Sequence, residues 1–447
     1  MELKIEKLVY GGDGLARLPP DDRGPGKAIF IPFVLEGECV GVSLIEQKKG
    51  FARARVDGLL APSPARIAPA CRYFASCGGC HYQHTGYEHQ LEVKTAILKE
   101  NLRRMAKLEL ENIQVHASPP WNYRNRTRLK VRTSPSFAVG YFKFNSHELM
   151  PVEECPISSP LINRAIAKLW ELGRAEGVEE IEFFVNAEDT QLLVEVYGVA
   201  GADFAMELKQ VLPEIVGIVM FPPSGAKALP YVSVGGRAEA VLSQTRMSSP
   251  PCPSKQTGGD ARPSAATTEL TYHTSQASYR VSAGAFFQVN RHLTDELVTL
   301  VTGGQSGRTA VDLYAGVGLF STVLSREFGR VIAVEASPIS YADLLYNSPA
   351  KVKAVRSMSE QYLRNVSCKL QPDLVVVDPP RSGLGNSVIH SLVNLGAPRV
   401  TYVSCDPATL SRDLAGLLKA GYRVEQAHLV DVFPQTYHLE SVFHLVR

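Results

Sequence analysis

The sequence predicts a multidomain α/β protein: a small all-β unit, a mixed central region, and a doubly wound α/β domain with its ligand crevice at the carboxyl ends of the strands. Three observations carry this. The chain has 447 residues, 45% of them apolar, which is too long for one ordinary domain and ample for two or three cores. Residues 1–60 alternate apolar and polar positions over short stretches. From Thr309 onward the rhythm becomes strand, loop, helix.

Taken in order, KIEKLVY, KAIFIPFVL, ECVGVSLIEQ and FARARV read as short strands, with Gly11, Gly12 and Gly14 turning between the first two. That pattern fits a small β-barrel, a class that often carries oligonucleotides. Residues 61–243 form the central region, which opens on a cysteine-rich loop. A helix at about 85–107 follows, in TGYEHQLEVKTAILKENLRRMAKL, where apolar residues recur at helical spacing. Strand character returns over 120–155 and again at IEFFVN and LLVEVYGV. Residues 244–268 are rich in Ser, Thr, Pro and Gly and lack the apolar surface to offset ordering, so they read as a flexible insertion. In residues 269–447 the valine-rich runs TAVDLY, RVIAVE, LVVVD and RVTYVS fit buried parallel strands, and EQAHLVDVF with HLESVFHLV fit an antiparallel edge.

A net charge of +2 says little about nucleic acid, because clustering is what matters. No apolar run approaches a membrane span and the first residues lack a secretion signal, so the cytoplasm is the default location and a monomer the default state. Cys71, Cys77, Cys80 and Cys155 lie in one part of the chain, and such spacing in a cytosolic protein suggests metal or catalysis before disulfides. Four thiolates suffice for a tetrahedral zinc or a [4Fe-4S] cluster, and spacing alone favours neither. Cys39, Cys252 and Cys368 have no such company.

Asp312 stands at a strand end before Gly316 and Gly318, whose spacing departs from the dinucleotide pattern GxGxxG. Glu335 ends the next strand, where a carboxylate accepts the hydroxyls of a ribose. Asp378, in VVVDPPR, ends another, and the prolines fix the backbone after it. Three acids converging on one crevice favour a nucleoside bearing positive charge, which S-adenosylmethionine is. Cys405 follows the next strand among the turn residues Ser404, Asp406 and Pro407, and Glu440 enters the final strand from a loop. A cysteine and a carboxylate beside a methyl donor suit one kind of acceptor. Carbon 5 of uracil is a poor nucleophile until a thiolate adds at carbon 6, and a base must then remove the proton left on carbon 5. Cys405 would be the nucleophile and Glu440 the base.

Between the third and fourth clustered cysteines, Trp121, Tyr123, Arg124, Arg126, Arg128, Lys130 and Arg132 form an aromatic and basic stripe. On a strand the charges share one face, suited to phosphates, with the aromatics available to unpaired bases. A solvated strand face is the plainer explanation.

The motifs Cys71 to Cys80, FFQVN, DLYAGVG, VVVDPPR, SCDPATLSRD and FPQTYHLE occur in this order across nearly the whole chain. In them the sequence resembles the RNA 5-methyluridine methyltransferases, especially the ribosomal RNA members that carry an iron-sulfur cluster. The resemblance implies a class I, Rossmann-like catalytic domain over 269–447, a TRAM module over 1–60, and a helix after the cysteines that packs on the catalytic domain. It also implies Cys405 as nucleophile, Glu440 as general base, and Gln288, Glu335 and Asp378 as holding S-adenosylmethionine with help from Phe286. The four cysteines would ligate a [4Fe-4S] cluster rather than zinc, and the RNA would be 23S ribosomal RNA, with transfer RNA as the alternative. Between Glu335 and Asp378 the chain departs from the family pattern, which leaves the adenine contacts open. The competing readings are a noncatalytic RNA-binding iron-sulfur protein and an adenine or cytosine methyltransferase. The intact Cys405 and Glu440 weigh against the first. Against the second, an exocyclic amine needs no cysteine addition, although carbon 5 of cytosine stays chemically open.

Overall fold

The structure is a computed structural model that describes residues 1–18, 26–223, 268–366 and 370–447, and the backbone of 231–234 and 237–240. Apart from Thr268, the insertion expected at 244–268 lies outside the described residues, as do Cys252 and Cys368.

The first unit is a six-stranded sheet ordered Glu2–Lys4, Cys39–Gln47, Phe51–Ala61, Ala28–Pro32, Asp13–Arg17 and Lys7–Leu8. The alternation read from the sequence places Ile5, Ile29, Ile31, Val40, Val42 and Ala54 in one core. Buried Glu38 ties this unit to the next segment: Arg66 donates to both its oxygens at 2.5 and 2.8 Å, and the Leu35 and Ser63 amides add two more bonds. Burial works the other way, yet these donors hold the Glu38 carboxyl below its usual range.

The cysteine loop leads into the helix Tyr87–Asn101, extended by a π-turn over Leu102–Ala106. Leu98, Leu102 and Ala106 share a core with Leu410, Leu414 and Leu417 of the helix Pro407–Lys419, far along the chain. The following short strand, Gln114–His116, pairs in parallel with Arg423–Val430 and becomes the edge of the carboxyl-terminal sheet. Sequence periodicity could not show this, since three residues carry no period.

The central sheet has eight strands, ordered Leu149–Pro151, Ala138–Phe142, Arg126–Arg132, Val178–Val185, Leu192–Gly198, Ile215–Phe221, Tyr231–Val234 and Arg237–Ala240. Helix Pro160–Leu172 covers it, begun by Ser159, whose hydroxyl accepts from the Ile162 amide, and ended by Gly173 at φ 63°.

The carboxyl-terminal sheet runs Val352–Arg356, Phe328–Glu335, Gly307–Leu313, Leu374–Val377, Arg399–Ser404, Glu440–Val446, Arg423–Val430 and Gln114–His116. The first five strands are parallel, and Glu440–Val446 is antiparallel to both its neighbours. Strand order reverses between Gly307–Leu313 and Leu374–Val377, so the crevice of a doubly wound sheet opens at their carboxyl ends. Two separate apolar cores line the sheet's faces, one around Leu297, Phe320 and Val376, the other around Val375, Leu392 and Leu414. No described helix is long and apolar enough to cross a membrane.

Candidate active site

Cys405 lies in the turn between the strand Arg399–Ser404 and the helix Pro407–Lys419. Asp406 caps that helix, its carboxylate accepting from the Ala408 and Thr409 amides at 3.0 and 2.8 Å, with Pro407 preset for the first turn. The cap fixes the backbone that carries the thiol. Ser404 is paired with Ser441 in the antiparallel register, so Cys405 and Glu440 stand opposite each other one step beyond the last pair. Glu440 is buried.

Electrostatics couples this pair to the neighbouring strand end. Burial pushes the Cys405 thiol up to about 12; Glu440 and Asp378 add to that push and Arg381 opposes it. Burial likewise raises the Glu440 carboxyl well above the usual carboxylate range, Asp378 adds, and Arg381 again opposes. Arg381 is thus the cation that faces both groups. Sequence reasoning passed over it, although it follows DPP directly. It also touches His438, at 3.4 Å. A second missed residue comes from the first unit: Tyr10 donates its hydroxyl to the Cys405 carbonyl at 3.2 Å. No local signal marks a contact between residues 395 positions apart.

The loop that delivers Glu440 is clasped on three sides. Lys94 of the helix after the cysteines meets Asp431 at 2.6 Å, both fully buried, and donates to the Phe433 carbonyl at 2.9 Å. Gln90 and Gln435 exchange hydrogen bonds, and the amides of His81 and Tyr82, just after Cys80, donate to the Gln435 carbonyl at 2.8 and 3.0 Å. Buried Tyr123 donates to the Pro434 carbonyl at 2.9 Å.

Around the crevice, Gly316 has φ 56° and Gly318 φ 93°, and a side chain built at Gly316 would enter open space. Glu335 accepts from the Gly316 amide at 2.8 Å and the Ser337 amide at 2.6 Å, which fixes its carboxylate at the mouth of this turn. Asp378 follows the strand Leu374–Val377; burial lifts its carboxyl to about 7, with Asp312 adding. Asp312 departs from the expected open carboxylate. It has no exposed surface, accepts the Ser321 hydroxyl, leaves its other oxygen without a partner, and is pushed by burial to about 7. From the strand interior it ties to the helix Leu319–Glu327 through Ser321. Phe286 and Gln288 lie on the connection to the helix Thr294–Thr302; the Phe286 ring is 65% exposed and the Gln288 carbonyl accepts from Asn125 at 3.0 Å.

Cys71, Cys77, Cys80 and Cys155 line one cavity of about 260 Å³, walled by Phe74, Phe142 and Val152. Burial raises Cys71, Cys77 and Cys80, and the approach of Cys155 raises each further. Among the described residues no group of three or more His, Cys, Asp or Glu is disposed to hold a metal ion.

The basic stripe needs correction. The adjoining strand Val178–Val185 carries glutamates at the same alternation, with Glu180 opposite Lys130 and Glu182 opposite Arg128. Cross-strand neighbours pair. Arg126 and Arg128 both bond Glu182, Arg126 also reaches Glu195 at 2.7 Å, and Lys130 bonds Glu180. Arg132 turns back to the Ser136 carbonyl, and Tyr123 is fully buried, so it stacks on no base. Half-buried Arg124 differs: no carboxylate among the described residues pairs with it, and its Nε has no partner.

Residues 264–447 match the family model tRNA (Uracil-5-)-methyltransferase, and residues 1–56 match the TRAM domain. An uncharacterized RNA methyltransferase of Aquifex aeolicus is 30% identical over 99% of this chain and 97% of its own. A Chromohalobacter salexigens protein named 23S rRNA (uracil(1939)-C(5))-methyltransferase RlmD is 30% identical over 100% of this chain and 89% of its own. The crystal structure of Pyrococcus abyssi tRNA (uracil-54, C5)-methyltransferase in complex with S-adenosyl-L-homocysteine shares the fold, with a TM-score of 0.70, 22% identity and full coverage of both chains. The chain therefore belongs to the S-adenosylmethionine-dependent RNA (uracil-5-)-methyltransferase family and carries a TRAM domain.

Proposed function

We propose that this protein methylates carbon 5 of a uridine in 23S ribosomal RNA, with Cys405 as nucleophile and Glu440 as general base. The observation that carries the reading is the placement of Cys405 and Glu440 opposite each other beyond the Ser404–Ser441 pair, with Asp378 and Arg381 alongside. Ribosomal RNA is favoured over transfer RNA because the relative named for 23S rRNA matches at 30% identity over the full chain, whereas the transfer RNA enzyme supports the fold alone.

S-adenosylmethionine supplies an electrophilic methyl group on a sulfonium centre. The open turn at Gly316, the fixed Glu335 carboxylate and the buried Asp378 fit such a nucleoside, with Gln288 and Phe286 assigned to the same ligand. Cys405 releases its proton to solvent, and the thiolate bonds carbon 6 of the uracil as the ring's 5,6 double bond opens, which moves electron density to carbon 5. Once carbon 5 carries the methyl group, the Glu440 carboxylate takes the proton from that carbon; the carbon 6–sulfur bond then breaks and the ring double bond returns. Burial makes Glu440 a stronger base than an exposed carboxylate, while Arg381 favours the anionic form of both groups. A uridine in a duplex must leave its stack to reach Cys405.

For Cys71, Cys77, Cys80 and Cys155 the same reading assigns a [4Fe-4S] cluster. Four thiols lining one cavity of about 260 Å³ offer the number of donors that such a cluster takes. The methylation chemistry draws no electron from it, so its role is to order the loop from which His81 and Tyr82 hold Gln435. Residues 1–60 and 61–243 then serve RNA binding and residues 269–447 the chemistry.

The test is donor-dependent tritium release from RNA labelled at uridine carbon 5, with separated ribosomal and transfer RNA. Release from ribosomal RNA supports the reading; release from transfer RNA alone moves the substrate, and none from either removes it. Iron and sulfide in equal amounts, with zinc absent, after anaerobic purification would bear out the cluster.

A further inference from the structure

A second pocket, of about 420 Å³, lies where the TRAM domain, the cysteine loop and the loop before Glu440 meet, and it plays no part in the chemistry above. Its volume is within the ~300–1,000 Å³ of ordinary ligand sites. Two arginines reach it. Arg53, from the strand Phe51–Ala61, stands 3.6 Å from Asp13, the single acid of the lining, and 3.6 Å from Glu46 outside it. Arg124, from the corrected stripe, lines both this pocket and the cysteine cavity; no carboxylate among the described residues pairs with it, and its Nε has no partner. A guanidinium without a carboxylate partner at a pocket wall suits an anion.

The remaining wall is aromatic. His81 and Tyr437 meet edge to face at 4.6 Å, and His81 also lies 6.1 Å from Phe144. His81 is 8% exposed and its Nδ1 has no partner, so a buried polar atom also awaits a ligand there. Burial depresses His438 to about 3, which leaves its ring neutral and able to accept a hydrogen bond. The turn closes tightly: a side chain at Gly12, φ 90°, would come within 2.9 Å of His81. The pocket is also next to the reacting group, because the Tyr437 ring packs on Tyr10 at 5.4 Å and Tyr10 bonds the Cys405 carbonyl.

We propose that this pocket receives one unstacked nucleotide of the RNA beside the target uridine, its phosphate between Arg53 and Arg124 and its base against Phe144, His81 and Tyr437. Aromatic stacking with paired cations is how proteins hold single-stranded nucleotides. The inference rests on the RNA-methylating reading above and names a substrate subsite for it. Two nucleotides held out of the stack would fix which uridine reaches Cys405, so the TRAM domain would act in choosing the base.

The experiment measures equilibrium binding of a 23S ribosomal RNA transcript to the intact protein and to Phe144→Ala, Phe144→Tyr and Arg53→Gln, with S-adenosylmethionine affinity as a control for folding. Phe144→Ala and Arg53→Gln should each weaken RNA binding roughly tenfold without changing donor affinity. Arg53→Gln should lower the salt slope by about one, Phe144→Ala should leave it unchanged, and Phe144→Tyr should restore binding. RNA affinities equal to that of the unaltered protein in both weakened variants would overturn the proposal. Binding is read without turnover, so the two readings fail separately. Tritium release with unaffected variants removes the subsite and keeps the activity, whereas weakened variants without release in the unaltered protein keep the subsite and remove the activity.

Discussion

Cys405 and Glu440 face each other across the open end of an antiparallel strand pair, one step beyond Ser404 and Ser441. The arrangement gives the proposed nucleophile and the proposed base separate backbones, each fixed independently. The Asp406 cap holds the first, and the clasp around Asp431 and Gln435 holds the second.

Arg381 should set the pH dependence. Burial raises both Cys405 and Glu440, and in the proposed roles each works only after losing its proton, so kcat/KM should rise with pH from acid through neutrality. Arg381 opposes both shifts. Arg381→Gln should therefore move the rising limb to higher pH, measured as tritium release across a buffer series. An unmoved limb would remove Arg381 from this role.

Lys94 and Asp431 form an ion pair with no exposed surface on either side. Lys94→Met leaves the Asp431 carboxylate buried and uncompensated, which should cost about 3–5 kcal/mol in denaturant unfolding. Lys94→Met combined with Asp431→Leu should recover much of that loss, since neither charge then remains. Equal losses in the single and double variants would show that Asp431 does not depend on Lys94.

Asp312 gives a stability test with a defined sign. Its folded carboxyl is raised to about 7 from an ordinary 3.8, so the folded chain keeps a proton that the unfolded chain has released. Its contribution is full below about 3.8 and is lost as pH rises to about 7. Asp312→Asn cannot titrate. The melting temperature of the unaltered protein, relative to this variant, should fall across that window and level off above it. A constant difference would mean that Asp312 is not shifted.

Where the candidate residues sit in the fold was legible because they stand at strand ends with turn chemistry around them. Asp378 before two prolines and Cys405 between Ser404 and Asp406 each stand one residue past a strand in the structure. What escaped was contact between distant segments. Tyr10 reaches Cys405, and Gln114–His116 joins a sheet built otherwise from the carboxyl-terminal third. Neither has a local pattern. The basic stripe misled for a related reason: its alternation was plain, but so was that of Glu180 and Glu182, and only strand pairing brings the two rows together. Arg124, alone of that row, keeps an unpartnered Nε at a pocket wall.

The most direct test of the central claim uses Glu440→Gln with ribosomal RNA tritiated at uridine carbon 5 and S-adenosylmethionine labelled in its methyl group. The amide cannot take the carbon 5 proton, so turnover should drop by roughly 10²–10⁴-fold. A covalent protein–RNA species should accumulate that carries the labelled methyl group and retains the tritium. Tritium release by Glu440→Gln at the rate of the unaltered protein, with no covalent species, would contradict the account.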